Sequence, residues 1–165
     1  MRLATMLLIL GVAACSASAP PPGAPVAVAR ACDQPDGARV RLTGYLRYPR
    51  GLLSFCRTVG GKESCDLALY ADATRPQDFE IARAPAAPEP AAVTLAVSIG
   101  DAPGQMRRLP ERYRASDVKL HLEGGSTATE GSRIMIDGPV TVTPADLVNG
   151  SPRTCYVTVG WARMD

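Results

Sequence analysis

From residue 38 onward the chain repeatedly alternates apolar and polar side chains. Over Ala38–Tyr48, Val40, Leu42, Leu46 and Tyr48 take one face, and Arg39, Arg41, Thr43, Tyr45 and Arg47 take the other. That period of two predicts a half-buried strand. Gly44 interrupts the apolar face, as a bend or bulge does. Leu52–Thr58 and Ser64–Ala71 flank Val59-Gly60-Gly61-Lys62. Gly-Gly suits a two-residue hairpin turn, because primed turns need positive φ at their central residues. Val93, Leu95, Val97 and Ile99 alternate in a further strand. Val118, Leu120 and Leu122 do so over Asp117–Glu123. Ile134 and Ile136 point inward from Arg133–Val142, with a break at Gly138-Pro139. Cys155, Val157, Val159 and Trp161 are expected on the inner face of the last strand. Short helices are expected at Val26–Cys32 and Thr74–Ala84, and one helical turn at Thr143–Val148. About seven short strands and few helices predict an all-β, mainly antiparallel domain, a small barrel or sandwich.

The element order resembles an OB-fold. It has a long bent first strand with a mid-strand glycine, a tight hairpin, a helical excursion and two late strands at 117–123 and 133–142. Val40-Arg41-Leu42-Thr43-Gly44-Tyr45 and Gly131-Ser132-Arg133-Ile134-Met135-Ile136 are similar to the first and last barrel strands of bacterial OB domains. On that resemblance the strand at 93–99 and the tail at 153–162 are additions to a five-stranded barrel. An immunoglobulin-like β-sandwich is the alternative.

Ahead of the strands, Leu3–Ala14 is a mostly apolar run behind Arg2. As a helix it is about 18 Å long, well short of the ~30 Å hydrocarbon core, so it reads as a signal h-region and not a permanent span. An Ala17-Ser18-Ala19 cleavage site would have to cut before Pro20, which fits poorly. Val12-Ala13-Ala14-Cys15 resembles the lipobox of bacterial lipoproteins. The resemblance implies cleavage before Cys15, acylation of its sulfur and of its new amine, and a lipid-anchored place in the bacterial cell envelope. Ser16, in place of an aspartate, implies the outer membrane, facing the periplasm. One acyl chain holds a protein to a bilayer only marginally; two or more make a stable anchor. The expected division is a signal peptide at 1–14, a lipidated cysteine and Ala/Pro-rich tether at 15–29, and a single β-rich domain at 30–165.

With Cys15 assigned to lipid, the five cysteines leave Cys32, Cys56, Cys65 and Cys155. An exported domain lies in an oxidising space, so two disulfides are expected. The Gly-Gly hairpin register sets Cys56 opposite Cys65 in a non-hydrogen-bonded pair, whose Cα atoms lie ~4.5 Å apart, within disulfide reach. Cys32–Cys155 follows by elimination and joins the domain's first element to its last. Four cysteines can bind zinc, but no C-x2-C pair is present, so neither metal nor cofactor is expected.

The formal net charge is only +2, so no global basic field suggests a nucleic-acid partner. Local charge is denser. Arg107, Arg108, Arg112 and Arg114 surround Tyr113 and Glu111 on a long loop, a candidate anion-binding site because guanidinium forks suit phosphate and carboxylate. An anionic glycan or an acidic patch on an envelope protein would fit it. Arg39, Arg41, Tyr45 and Arg47 form a second candidate. The bland reading of both is a solvated charged surface. His121, the one histidine, falls on the polar side of its segment and reads as solvated or hydrogen-bonded. No G-x-S-x-G elbow is present. The expected function is therefore a non-enzymatic envelope binding or interaction module. The alternative is an envelope hydrolase or cell-wall-modifying enzyme built on a carboxylate pair, though no pair stands out.

Overall fold

The computed structural model describes residues 22–48, 56–59, 61–73, 92–110, 113–145, 150 and 153–165. The described residues hold ten strands: β1 (Ala24–Pro25), β2 (Arg39–Arg47), β3 (Cys56–Val59), β4 (Lys62–Tyr70), β5 (Ala92–Ser98), β6 (Leu120–His121), β7 (Thr127–Ala128), β8 (Arg133–Thr143), β9 (Thr154–Thr158) and β10 (Trp161–Met164). The domain is all-β. Of the expected helices, Val26–Cys32 is realised as a 3-10 helix over Val28–Asp33. Thr74–Ala84 lies outside the described residues, as does the second half of the turn expected at Thr143–Val148.

Pairing runs β2–β4–β5–β9–β8 and returns to β2, so the sheet closes into a five-membered ring. All pairs in the ring are antiparallel except β5–β9. This is the OB-like barrel, and not the two facing sheets of an immunoglobulin-like sandwich. The assignment of strands to the ring differs from the sequence expectation. β5 and β9 are ring members, not additions. Asp117–Glu123 supplies no ring strand; only β6 forms there, pairing with β7 in a separate two-stranded sheet. The reason is packing. Val118, Leu120 and Leu122 are buried, but Met106 bridges both Ile99 and Leu120, holding this segment across the end of the barrel.

Alternation along β2 and β4 sends Val40, Leu42, Leu46, Leu67 and Leu69 into the barrel, joined by Leu95, Ile134, Ile136 and Val157. Burying each such side chain contributes roughly 1.5–3 kcal/mol. Val28 and Ala31 of the 3-10 helix close one end of this core. Met106, Val118, Leu120, Leu122 and Ala128 close the other. Gly44 marks where β2 passes from β8 to β4; a Cβ there would meet the Tyr70 carbonyl oxygen at 2.4 Å. Gly138 is tighter still, at 1.8 Å from the Thr158 carbonyl oxygen, because β8 turns there from β10 to β9.

The two disulfides are Cys56–Cys65 and Cys32–Cys155, with Cα separations of 3.9 and 5.8 Å. The first follows the hairpin register, in which Cys56 pairs with Cys65 and Val59 with Lys62. The described part of the expected tether is not a free linker. β1 pairs in parallel with Val40 and Arg41, and Val26 N–H donates to the Arg41 carbonyl at 3.0 Å. The stretch from Gly23 to Val26 is therefore packed against the barrel. Among the described residues, no helix is long and apolar enough to cross a membrane.

Candidate functional site

Among the described residues, three adjacent strands build a groove on the outer face of the barrel. In β2 the inward turn of Val40 and Leu42 leaves Arg39 and Arg41 pointing out. Register places Arg41 beside Asp137 of β8, and Asp137 beside Trp161 of β10. Arg163, two residues further along β10, shares the outer face with Trp161 and stacks over its ring, the guanidinium carbon 5.4 Å from the centroid. Pro22 and Gly160 complete a groove of about 510 Å³.

Asp137 organises the groove. It is the one charged side chain buried among the described residues, at 3% exposure. A carboxylate so placed is costly unless its oxygens are satisfied. Arg39 Nε donates to Oδ1, and Gly23 N–H donates to Oδ2 at 2.6 Å. Gly23 has room for this only without a side chain, since a Cβ would meet the Val40 backbone at 2.5 Å. The carboxylate thus fixes both a groove arginine and the incoming chain. Arg41 and Arg163 have no carboxylate partner among the described residues, so two guanidinium charges are left facing the groove.

The lining residues include no serine, cysteine or histidine to act as nucleophile or base. They include one carboxylate, and Arg39 and Gly23 already occupy it. The carboxylate pair of the hydrolase reading is not assembled here. What the groove offers is a pair of planar cationic forks beside an indole face, an arrangement suited to an anionic group attached to an apolar or sugar body.

Sequence reasoning singled out Arg39 and Arg41 but grouped them with Tyr45 and Arg47, which the structure places further along β2. Tyr45 lies opposite Tyr70 and Arg133. Arg47 donates from Nη2 to the Ala73 carbonyl at 2.9 Å, so it is a structural ligand of the backbone. Asp137, Trp161 and Arg163 were missed. Trp161 was expected on the inner face with Val157 and Val159. Instead the chain bends at Val159-Gly160, the alternation slips by one, Ala162 turns inward and Trp161 outward. A glycine just before the tryptophan was the available signal.

The arginine loop is built differently. Arg108 pairs with Glu63 of β4 at 3.2 Å, both side chains being solvent-accessible. Arg107 and Arg114 are held through their backbone amides, to the Lys119 carbonyl and the Asp117 carboxylate. Arg112 lies outside the described residues, as does Cys15. His121 is half-buried, with Nε2 3.7 Å from Asp101 Oδ1 and no hydrogen bond to it. The four remaining cysteines are in disulfides. Among the described residues, no group of three or more histidine, cysteine or acidic side chains is placed to hold a metal. No protein-family model matches the chain, and neither does any curated protein.

Proposed function

We propose that this chain is a lipid-anchored protein of the bacterial envelope, in the outer membrane and facing the periplasm, that binds an anionic ligand in the groove between β2, β8 and β10. The lipobox-like Val12-Ala13-Ala14-Cys15 supports the anchor. The observation that carries the binding role is that Arg41 and Arg163, neither with a carboxylate partner among the described residues, line one groove with Trp161 and with a buried carboxylate that already accepts from Arg39 and Gly23. Fixed donors with no nearby nucleophile bind better than they catalyse. The ligand class is one with an exposed carboxylate or phosphate, such as an anionic glycan or an acidic protein segment of the envelope.

Two measurements test the two halves. Replacing Cys15 by serine should move the protein from the membrane to the soluble fraction, and mass spectrometry of the wild type should find an acylated cysteine. Trp161 is the single tryptophan, so its fluorescence reports on the groove alone. Titration with inorganic phosphate, an oligogalacturonate and a stem peptide with free carboxylates should give a saturable change for at least one. The Arg41→Ala, Arg163→Ala double variant should lose it. No change with any of the three would end the groove's claim to be a binding site.

A further inference from the structure

The groove is beside the point where the chain enters the domain, and that position narrows the ligand. Pro22 is one of its walls, Gly23 is hydrogen-bonded to Asp137, and β1 is paired to β2. The entry point therefore cannot swing away from the groove. Six residues lie between Cys15 and Pro22, and those seven steps along the chain span at most about 25 Å when fully extended. If Cys15 carries the anchor, the groove is held within that distance of the headgroups. The strand that borders it has an interfacial character of its own. Trp161 and Arg163 occupy its outer face, and Met164, at its end and on the side of Ala162, is 52% exposed. Tryptophan and arginine side by side suit the headgroup level of a bilayer.

We infer that the groove takes the phosphate of an anionic phospholipid headgroup in the bilayer that holds the chain, with Arg41 and Arg163 as its donors and Trp161 against the glycerol backbone. This inference rests on the lipid-anchor reading and narrows the anionic-ligand reading to one source. Its consequence is orientation: the anchored domain lies with β10 and the β2 face toward the membrane and leaves the opposite face of the barrel, β4 and β5, open to the periplasm. The face over the second and third ring strands is the one OB barrels usually use.

The experiment uses the full processed chain, purified from membranes and reconstituted through its own lipid into vesicles of phosphatidylcholine with or without phosphatidylglycerol. Acrylamide quenching of Trp161 is the readout. Arginine–phosphate contact and anionic surface attraction should lower the quenching constant about threefold in the phosphatidylglycerol vesicles. The Arg41→Ala, Arg163→Ala double variant, which leaves the Arg39–Asp137 pair intact and whose folding is checked by its urea midpoint, should quench equally in both. Equal quenching of the wild type in both vesicles would overturn the inference. So would equal protection by millimolar inorganic phosphate in phosphatidylcholine vesicles, which would assign the groove to a soluble phosphate. An unmodified Cys15 thiol in the purified protein is a separate result that removes the anchor reading itself.

Discussion

The groove and the arginine loop carry similar side chains and use them in opposite ways. Arg107, Arg108 and Arg114 are close in sequence, and the loop disperses them: one pairs with Glu63 across to β4, and among the described residues the others are held through their backbones. Arg39, Arg41 and Arg163 come from opposite ends of the domain, and the sheet gathers them around one buried carboxylate. The Arg108 side chain is 75% exposed, against 31% for Arg39. A run of charge along a chain is therefore a poor guide to a site. Convergence comes from register between strands, with alternate residues on each strand supplying one face.

The sharpest way to break this comparison is to remove the buried carboxylate. Asp137→Ala leaves the half-buried Arg39 guanidinium and the buried Gly23 amide without their acceptor. Breaking one side of a buried charged pair costs on the order of 3 kcal/mol. Urea unfolding should show that loss, and the chain entering at Gly23 should become sensitive to proteolysis. A loss below about 0.5 kcal/mol, the range of ordinary surface substitutions, would mean that Asp137 does not organise the groove.

Next in size is the effect on binding. Arg41→Ala and Arg163→Ala should each weaken the groove's affinity for an anion about tenfold, the equivalent of one charge-assisted hydrogen bond. Changing Arg107, Arg108, Arg112 and Arg114 together to alanine should leave that affinity within about twofold, apart from a weaker general attraction at low salt. Trp161 fluorescence under titration separates the two outcomes. The reverse pattern would return the binding role to the loop.

Much of the fold was legible in the sequence, and most of the groove was not. Local rules sufficed for β2, β4, β5 and β8, where alternation is clean. They sufficed for the hairpin too, since a Gly-Gly turn sets the register that pairs Cys56 with Cys65. They did not reveal that β5 lies parallel to β9 or that β2 closes on β8. Those strands are far apart in sequence, and their partners are chosen by how the inner faces pack. The groove depends on those non-local pairs. It depends as well on the bend at Val159-Gly160, which moves Trp161 from the face that alternation assigns it. Alternation with Ile134 and Ile136 puts Asp137 on the outward side of β8, where nothing in the sequence marks it. Its burial is visible only once β1 is laid against β2.

A smaller effect is expected at the loop end of the barrel, which a neutral hydrogen bond helps to hold. Tyr48, just past β2, donates its hydroxyl to the Val118 carbonyl at 2.7 Å, pinning the segment that follows the arginine loop. Tyr48→Phe should cost about 1 kcal/mol, the net worth of such a bond. Burial pushes the phenol up to about 12, and the charge of Glu130 adds to this while a hydrogen bond with its backbone opposes it. The folded state thus holds the proton more tightly than the unfolded state. Its stabilising contribution is whole below pH 10 and is lost as pH rises through about 12. The difference in alkaline absorbance titration between wild type and Tyr48→Phe should isolate that late-ionising tyrosine. A difference curve centred near pH 10 would show that the hydroxyl is solvated.

The smallest expected effect gives the comparison its lower bound. Arg108→Ala removes the Glu63 pair, a contact between an arginine 75% exposed and a glutamate 36% exposed. Exposed ion pairs contribute ~0–1 kcal/mol, since water and salt screen the attraction and ordering two long side chains opposes it. Unfolding midpoints of wild type and variant should agree within about 0.5 kcal/mol, and any gap should shrink further at high ionic strength. Arg39→Ala under the same conditions removes a guanidinium from a carboxylate that has little water to turn to, so salt should not close its gap. Equal salt sensitivity in the two variants would mean that the groove pair is as solvated as the loop pair, and the contrast between the regions would be one of position only.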